Sequence, residues 1–292
     1  MTQITNTIPP SEASPELPSR PTLTARILST WQGRIGGGIV ALFAVMAIFA
    51  PWIAPHSHTE IDFGAIMQAP STVHPFGTDE VGRDILSRII FGARTSLAVV
   101  VAATLISTVV GGMIGLLAGW TGGWVDKVIM RIMDAILAFP LIVLALAIIA
   151  VLGPNLSNAI IAIGIVKIPH FARLMRGEVL VLRDMDYIRA VETMGLPLRR
   201  ILLRHVLPNA AGPVLVYSSI AASLALMTEA SLSFLGLGIQ PPTPSWGGMV
   251  SIGMQNWYFW WMSFWPGFAI FITVLAFNLL GDAIRDALDS KL

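Results

Sequence analysis

The residues that could carry chemistry are few, and one of them stands apart. Glu229 is a lone carboxylate in an otherwise apolar stretch, with Ser231 and Ser233 close by in the sequence. In an apolar medium, a carboxylate is costly unless it is paired or faces water. We therefore expect Glu229, with the two serines, either to line a solute path or to brace a neighbouring subunit, and the brace is the preferred interpretation.

A group of charges lies earlier in the chain, at Asp79, Arg83, Asp84 and Arg88, with Glu80 beside Asp79. Their mixed signs fit two interpretations equally well. The cluster is either solvated surface charge or a surface that receives another protein.

Three basic or metal-binding candidates are weaker. His56 and His58 could chelate a metal ion, but solvated loop histidines are commoner, so no metal site is predicted. Lys167 stands just before Pro169, and we expect it to extend to a membrane interface rather than to line an inner vestibule.

The segment 183–208 is the richest in pattern. Bulky residues recur at alternating steps of four and three, as on one face of a helix, at Tyr187, Val191, Met194, Leu198, Ile201 and His205. Gly195 suits a left-handed helix stop, and Pro197 suits the first turn of the next helix. Pro208 is expected to end that second helix. Such a basic, amphipathic pair of helices either rests on anionic lipid headgroups or docks another protein.

Enzymatic motifs are absent from the sequence. It contains no Gly-x-x-x-x-Gly-Lys-Ser/Thr phosphate loop, no His-Glu-x-x-His helix and no Gly-x-Ser-x-Gly turn. We expect no catalytic residues, and any energy source would lie in a partner or an ion gradient.

The composition indicates the elements that hold these residues. Of 292 residues, 55% are hydrophobic and 12% charged, against about 25% charged in an average soluble domain. The net charge of +1 argues against a nucleic-acid binder, and the absence of cysteine excludes disulfides. The chain is predicted to be an all-α, polytopic helix bundle in a lipid bilayer.

Apolar stretches with at most one charged residue predict six spans, each long enough for a hydrocarbon core of about 30 Å. They cover residues 36–54, 97–118, 135–152, a stretch beginning near 157, 212–235 and 264–281. Segment 239–263 is also uncharged, but its prolines predict an interfacial loop without a further helix. Its aromatic residues suit a membrane-interface belt, namely Trp257, Tyr258, Trp260, Trp261 and Trp265.

The basic residues predict the orientation. With six spans, 15 of the 18 Lys and Arg residues fall on one side, which the positive-inside rule makes cytoplasmic. Both termini would then be cytoplasmic. The proline-rich start predicts a disordered tail over 1–33, followed by a membrane domain over 34–292 with its core at about 95–285.

The spacing within 183–208 resembles the short cytoplasmic "EAA" motif of binding-protein-dependent ABC importer permeases. Arg189-Ala190-Val191 sits at the Glu-Ala-Ala triplet, Gly195 at the glycine and Leu207-Pro208 at the end. Arg189 replaces the family's glutamate and His205 its isoleucine.

Further blocks are similar to the dipeptide/oligopeptide/nickel permease subfamily, and to the second of its two permease subunits. They are His74–Asp79 with Gly82–Arg88, Glu229–Gly238 with Gln240–Gly247, and Leu275–Asp289. The resemblance covers the chain from about residue 34 to 292.

The resemblance implies a type I importer-permease fold and a role in moving short peptides or a related small solute across the cytoplasmic (inner) membrane. It implies a homologous permease partner, two cytoplasmic ATPases that grip 183–208, and a solute-binding protein on the outer face. Asp79, Arg83, Asp84 and Arg88 are then candidates for binding-protein contact. No cofactor is expected on this chain, since ATP and Mg²⁺ would sit on the ATPases. The alternative is an autonomous ion-coupled carrier, which would require an internal repeat and broken helices with midplane charges.

Overall fold

In the computed structural model, the protein is described over residues 22–289, and its regular elements there are helical. One isolated antiparallel bridge joins Thr78 and Asp84. The helices, in chain order, are α1 (Leu23–Ser29), α2 (Trp31–Ile48), α3 (Ala50–Ile53), α4 (Ile85–Thr121), α5 (Gly123–Leu137), α6 (Leu141–Leu152), α7 (Leu156–Arg183), α8 (Asp186–Thr193), α9 (Leu198–Ile201), α10 (Leu207–Phe234), α11 (Trp246–Gln255) and α12 (Trp261–Asp289). A short 3₁₀ helix at Phe63–Ala65 and a π-helical turn at Leu202–Val206 complete the list.

The predicted membrane bundle is confirmed, with a change to the third span. Within residues 22–289, five helices are long and apolar enough to cross a membrane, and a sixth span results if α5 and α6 are counted together. The predicted straight span 135–152 is wrong, because α5 and α6 meet at an angle of 88°. Pro140 lies at the bend as the N-cap of α6, and a proline disfavours helical geometry in the residue before it.

Glycines allow the two central helices of the bundle to touch. Gly111, Gly115 and Gly119 lie four residues apart on one face of α4, against α7. A Cβ at Gly115 would come within 2.2 Å of the carbonyl oxygen of Ala172. Small residues at this spacing are the usual means of close helix contact in membranes.

The predicted stop at Pro208 is wrong. The chain runs from α9 through the π-helical turn into α10, so that residues 198–234 form one continuous 37-residue helix. In the π-helical turn, the amide of Leu207 bonds the carbonyl oxygen of Leu202, five residues earlier. Pro208 follows directly after this turn, whose changed hydrogen-bond register accommodates a residue without an N–H, so the helix continues.

The prediction that segment 239–263 lacks a helix is also wrong. Ser245 caps α11 through its side chain, and Trp246 at the start of the helix is completely buried. With ten residues, α11 is too short to span a membrane. Trp257, Tyr258 and Trp260 are exposed, as in an interface belt, whereas Trp261 is buried in the core.

Helical structure starts earlier in the sequence than the predicted end of the N-terminal tail, with α1 at Leu23–Ser29. Residues 1–21 of the predicted tail 1–33 lie outside the described residues. Within the rest, Thr22 caps α1 and Thr30 caps α2 with their hydroxyl groups. The Arg26 side chain donates to the carbonyl oxygen of Ala287 at 3.1 Å, which joins α1 to α12.

Candidate functional site

The 183–208 element is built around a left-handed residue at Gly195, as its sequence predicts. Gly195 has φ +72°, and its amide donates to the carbonyl oxygen of Glu192 at 2.9 Å. The amide of Leu196 donates to the carbonyl oxygen of Val191 at 3.4 Å. These two bonds form a Schellman motif, which ends α8 and fixes the direction in which the chain continues to α9.

The element is anchored to the bundle by side chains that the predicted face mostly missed. Ile188, Ile201 and Val206 are buried in a cluster that also contains Leu116 of α4 and Phe171 of α7. Of the predicted face, only Ile201 is buried, with Val191 and His205 partly so. The left-handed residue Gly195 interrupts the helix between α8 and α9, so one helical periodicity does not run through both.

The outer side of the element combines apolar and basic groups. Met194 is 72% exposed, and Tyr187 and Leu198 are also exposed. The basic residues are exposed too, as are alanine, glycine and proline residues of the element, namely Arg189, Ala190, Gly195, Pro197, Arg199, Arg200, Arg204 and Pro208, while Leu207 is half-buried. Arg189 pairs with Asp184 at 3.3 Å, and both side chains are exposed. Such a surface suits contact with a partner rather than with the chain's own core.

Three arginines of α7, the helix that leads into this element, form a clamp of side-chain bonds to α5 and α4 that the sequence did not predict. Arg176 of α7 forms two hydrogen bonds to the carboxylate of Asp126 on α5, at 2.5 and 2.6 Å. Arg173 bonds Asp134 at 2.6 Å, at a more exposed position one to two turns away. Arg183 donates to the carbonyl oxygen of Trp120 at the end of α4. The clamp ties α7 to both neighbouring helices, and only the tertiary fold brings these residues together.

The charge cluster at 79–88 is not solvated, so the first of its two interpretations is wrong. Asp79, Arg83, Asp84 and Arg88 are all buried. Asp79 accepts from the Arg83 side chain at 2.6 Å and lies 3.5 Å from Nε of Arg88. Direct contact with a binding protein stays a prediction, for which these side chains offer little surface.

Segments distant in sequence cover the buried charge cluster at 79–88. Arg88 donates to the carbonyl oxygens of His58 at 3.0 Å and Pro242 at 3.5 Å. The indole N–H of Trp246 donates to the carbonyl oxygen of Ile89 at 3.0 Å, and that of Trp261 to the carbonyl oxygen of Thr78 at 3.3 Å. The segment between α3 and α4 is therefore held against α4 and α12, and α4 is itself bonded to α11.

Burial shifts two titrating groups in the segment between α3 and α4. Desolvation, and then the neighbouring charge of Asp79, raise the pKa of Glu80 above its ordinary value. Desolvation, and then the charge of Arg88, lower the pKa of His58. Both shifts follow from closing the segment over the charge network.

Glu229 lies inside the chain, on α10. It is completely buried, and its Oε1 accepts from the hydroxyl of Ser233 at 2.8 Å. Its Oε2 faces Gly247 at the start of α11, where an added Cβ would stand 3.1 Å away. Ser231 instead donates to the carbonyl oxygen of Met227 on its own helix. The carboxylate therefore sits where α10 and α11 pack together.

Lys167 and the histidines differ from expectation. Lys167 is 4% exposed within α7, so the prediction that it extends to an interface is wrong. The ring of His58 stacks on Phe91 at 4.0 Å. His56 lies instead beside His74, with ring centroids 4.9 Å apart.

Comparison with known proteins identifies what this arrangement belongs to. Residues 111–292, more than half of the chain, match the family described as "Binding-protein-dependent transport system inner membrane component". The chain belongs to this family. Residues 33–70 also match the "N-terminal TM domain of oligopeptide transport permease C". The chain is thus a permease subunit of an ABC importer, and the alternative of an autonomous ion-coupled carrier is wrong.

Individual relatives agree with the family. The chain is 49% identical over 255 residues to a glutathione transport system permease protein of Shigella flexneri serotype 5b, covering 87% of this chain and 84% of the relative. It is 42% identical over 259 residues to a dipeptide transport system permease protein of Alkalihalophilus pseudofirmus, covering 88% and 85%.

A solved structure has the same fold. The MetNI methionine ABC transporter in an inward-facing conformation matches with a TM-score of 0.58 and 19% identity, over 70% of this chain and 97% of that chain. The predicted importer-permease fold is confirmed.

Proposed function

We propose that this permease subunit moves short peptides, including glutathione-like tripeptides, across the inner membrane. The support is the level of identity to permeases named for glutathione and dipeptide transport, over nearly the whole chain. The chain pairs with a homologous second permease, and the two together form the solute path. A solute-binding protein delivers the peptide to the outer face.

The 183–208 element is proposed to receive the cytoplasmic ATPases, which bind ATP and Mg²⁺ and hydrolyse the nucleotide. The observation that carries this proposal is the contrast between its two sides. Ile188, Ile201 and Val206 fix the element to α4 and α7, while Met194 and Leu198 project outwards beside exposed arginines. A rigidly anchored element with an exposed tip transmits a displacement, whereas a loop resting on lipid headgroups needs no such anchoring. Closure of the ATPases would then rock the bundle between inward- and outward-facing states.

The orientation belongs to the same proposal, with both termini in the cytoplasm. A phosphatase reporter that is active only outside should be active when fused near Asp62 and silent near Arg199. The reverse pattern would contradict both the orientation and the docking role of 183–208.

Uptake tests the solute class. In cells lacking this chain, uptake of radiolabelled glutathione or of a labelled dipeptide should fall to background and recover when the chain is restored. Uptake of a free amino acid should be unchanged. If the deletion strain still took up both glutathione and the dipeptide at the normal rate, the assignment of short peptides as the solute would be overturned.

A further inference from the structure

Three side chains in the outer segment converge in a way that the transport role does not use. One potential metal-ligating atom from each of His56, His74 and Asp84 lies within 4.8 Å of the other two. The residues come from three places along the chain, which are the stretch after α3, the turn before Thr78 and the N-cap of α4. We propose that they form a binding site for one Zn²⁺ ion or a similar divalent transition-metal ion.

The distance between two of the atoms fits such an ion. Nδ1 of His74 and Oδ1 of Asp84 are 3.0 Å apart. Zinc bonds to nitrogen and oxygen measure about 2.0–2.2 Å, which sets neighbouring ligands of a tetrahedral ion about 3.3–3.5 Å apart. An ion can therefore replace the proton between this pair with only a small movement. His56 lies on a loop rather than in a helix, and a small shift of that loop would bring its half-buried ring onto the ion.

The surroundings hold two of the three ligands, His56 and Asp84, as a metal site requires. Nε2 of His56 lies 3.1 Å from the carbonyl oxygen of Val73, and donation to it leaves Nδ1 unprotonated and able to coordinate. A metal-binding histidine commonly donates its other ring N–H to a backbone carbonyl in this way. Oδ2 of Asp84 accepts from the amide and hydroxyl of Ser87 at 2.8 and 2.7 Å, which leaves Oδ1 for the ion.

Charge and chemistry both favour a cation. The side chain of Asp84 is 1% exposed, and its ion-pair partner within residues 22–289 is His74, at 12% exposure. A buried carboxylate is stabilised by a compensating positive charge. Two imidazoles and one carboxylate suit Zn²⁺, whereas Mg²⁺ and Ca²⁺ prefer oxygen ligands. Water would supply the fourth ligand.

The ion would act as a cross-link rather than as a catalyst. It would join the start of the outer segment to its end, where α4 begins. Binding to the folded chain alone raises its stability by mass action.

Zinc titration tests the proposal. The full-length chain, in the complex with which it purifies and carrying a tag without histidines, is stripped with a chelator and dialysed against Zn²⁺. We expect His56→Ala to bind one Zn²⁺ fewer per chain than the wild type, or to bind it at least tenfold more weakly. His56→Ala keeps the pair of His74 with Asp84 and the helix cap, so it should still fold. His58→Ala, whose ring lies on Phe91, is the matched control and should bind as the wild type does.

A second variant and a second readout complete the test. Asp84→Asn keeps an oxygen acceptor for the cap of α4 but removes the negative charge, and it should also weaken Zn²⁺ binding at least tenfold. Zn²⁺, but not Mg²⁺, should raise the melting temperature of the wild type and not of His56→Ala. Equal Zn²⁺ binding by the wild type, His56→Ala and Asp84→Asn would overturn the proposal, as would a wild-type chain that binds no Zn²⁺. None of these results depends on which solute is transported.

Discussion

Leu196 donates its amide proton to the carbonyl oxygen of Val191, and the side chains of both residues pack against the same buried cluster. This hydrogen bond across Gly195 fixes the orientation of α8 relative to α9. The exposed tip of the element, at Met194 and Leu198, therefore moves with the bundle and not independently of it. Several properties of the chain should follow from this and from the contacts around it.

Anchoring and docking should separate within the 183–208 element. Ile188 is completely buried, so Ile188→Ala should destabilise the chain by about 2–5 kcal/mol, as core truncations do. Met194→Ala, at an exposed site, should change stability by less than about 0.5 kcal/mol but weaken association with the ATPases. Thermal unfolding and co-purification of the ATPases check the two effects. Equal unfolding temperatures for both variants would contradict the anchoring.

The two ion pairs between α5 and α7 should differ in strength. A double-mutant cycle with Asp126→Asn and Arg176→Gln should give a coupling energy of about 1–2 kcal/mol, because the pair is bidentate and Asp126 is mostly shielded. The same cycle on Asp134 and Arg173, which are about half exposed, should give less than about 1 kcal/mol. Thermal unfolding of the four variants of each pair provides both energies. A stronger coupling between Asp134 and Arg173 than between Asp126 and Arg176 would contradict this ranking of the two ion pairs.

Glu229 should depend on one serine and not on the other. Ser233→Ala removes the donor to Oε1 from a buried carboxylate and should cost about 1–3 kcal/mol. Ser231→Ala removes only a bond to the carbonyl oxygen of Met227 and serves as the control, with little change. Glu229→Gln should keep assembly and most uptake, since an amide oxygen can still accept from Ser233. Uptake abolished in Glu229→Gln at normal abundance would favour a role in the solute path instead.

Acid should stabilise the segment between α3 and α4 through Glu80. Its pKa is raised in the folded chain by burial and then by Asp79, with Arg83 and Arg88 partly opposing the shift. The folded state thus binds the proton more tightly, so this contribution to stability is full below the ordinary pKa of 4.5 and is lost as the pH rises through the raised value. Glu80→Gln should flatten that part of the stability–pH curve and raise stability at neutral pH. Parallel curves for the wild type and Glu80→Gln would show that the group contributes nothing.

Local sequence signals predicted the parts of the fold that depend on local physics. The long apolar runs gave the bundle, because each one alone is long enough to require a membrane. Gly195 correctly predicted the end of α8, because the left-handed conformation that ends the helix depends on the type of one residue. The helix end predicted at Pro208 was wrong, because the π-helical turn at Leu202–Val206 lets the helix continue through this proline.

Long-range contacts could not be predicted in the same way. Arg88 of α4 and Pro242 lie 154 positions apart, and their contact exists only because the loop before α11 folds back onto α4. For the same reason, the sequence showed charges at 79–88 without showing that they are buried. The meeting of His56 with His74 and Asp84 depends on the same folding.

Stimulated ATP hydrolysis in a Gly195 variant tests the coupling role most directly. An added Cβ at Gly195 would meet no atom within 4 Å, so the penalty for a substitution there is conformational, about 1–2 kcal/mol for a residue with a side chain and more when it is β-branched. Gly195→Val should insert normally yet misplace the tip, whereas Gly195→Asn, which tolerates the left-handed region, should behave nearly as the wild type. Gly177→Ala, at an open site on α7, controls for adding a side chain. We predict that in purified complex the loaded binding protein no longer stimulates ATP hydrolysis by Gly195→Val, while stimulation is kept in the two controls. Normal stimulation in Gly195→Val would contradict the coupling role of the 183–208 element.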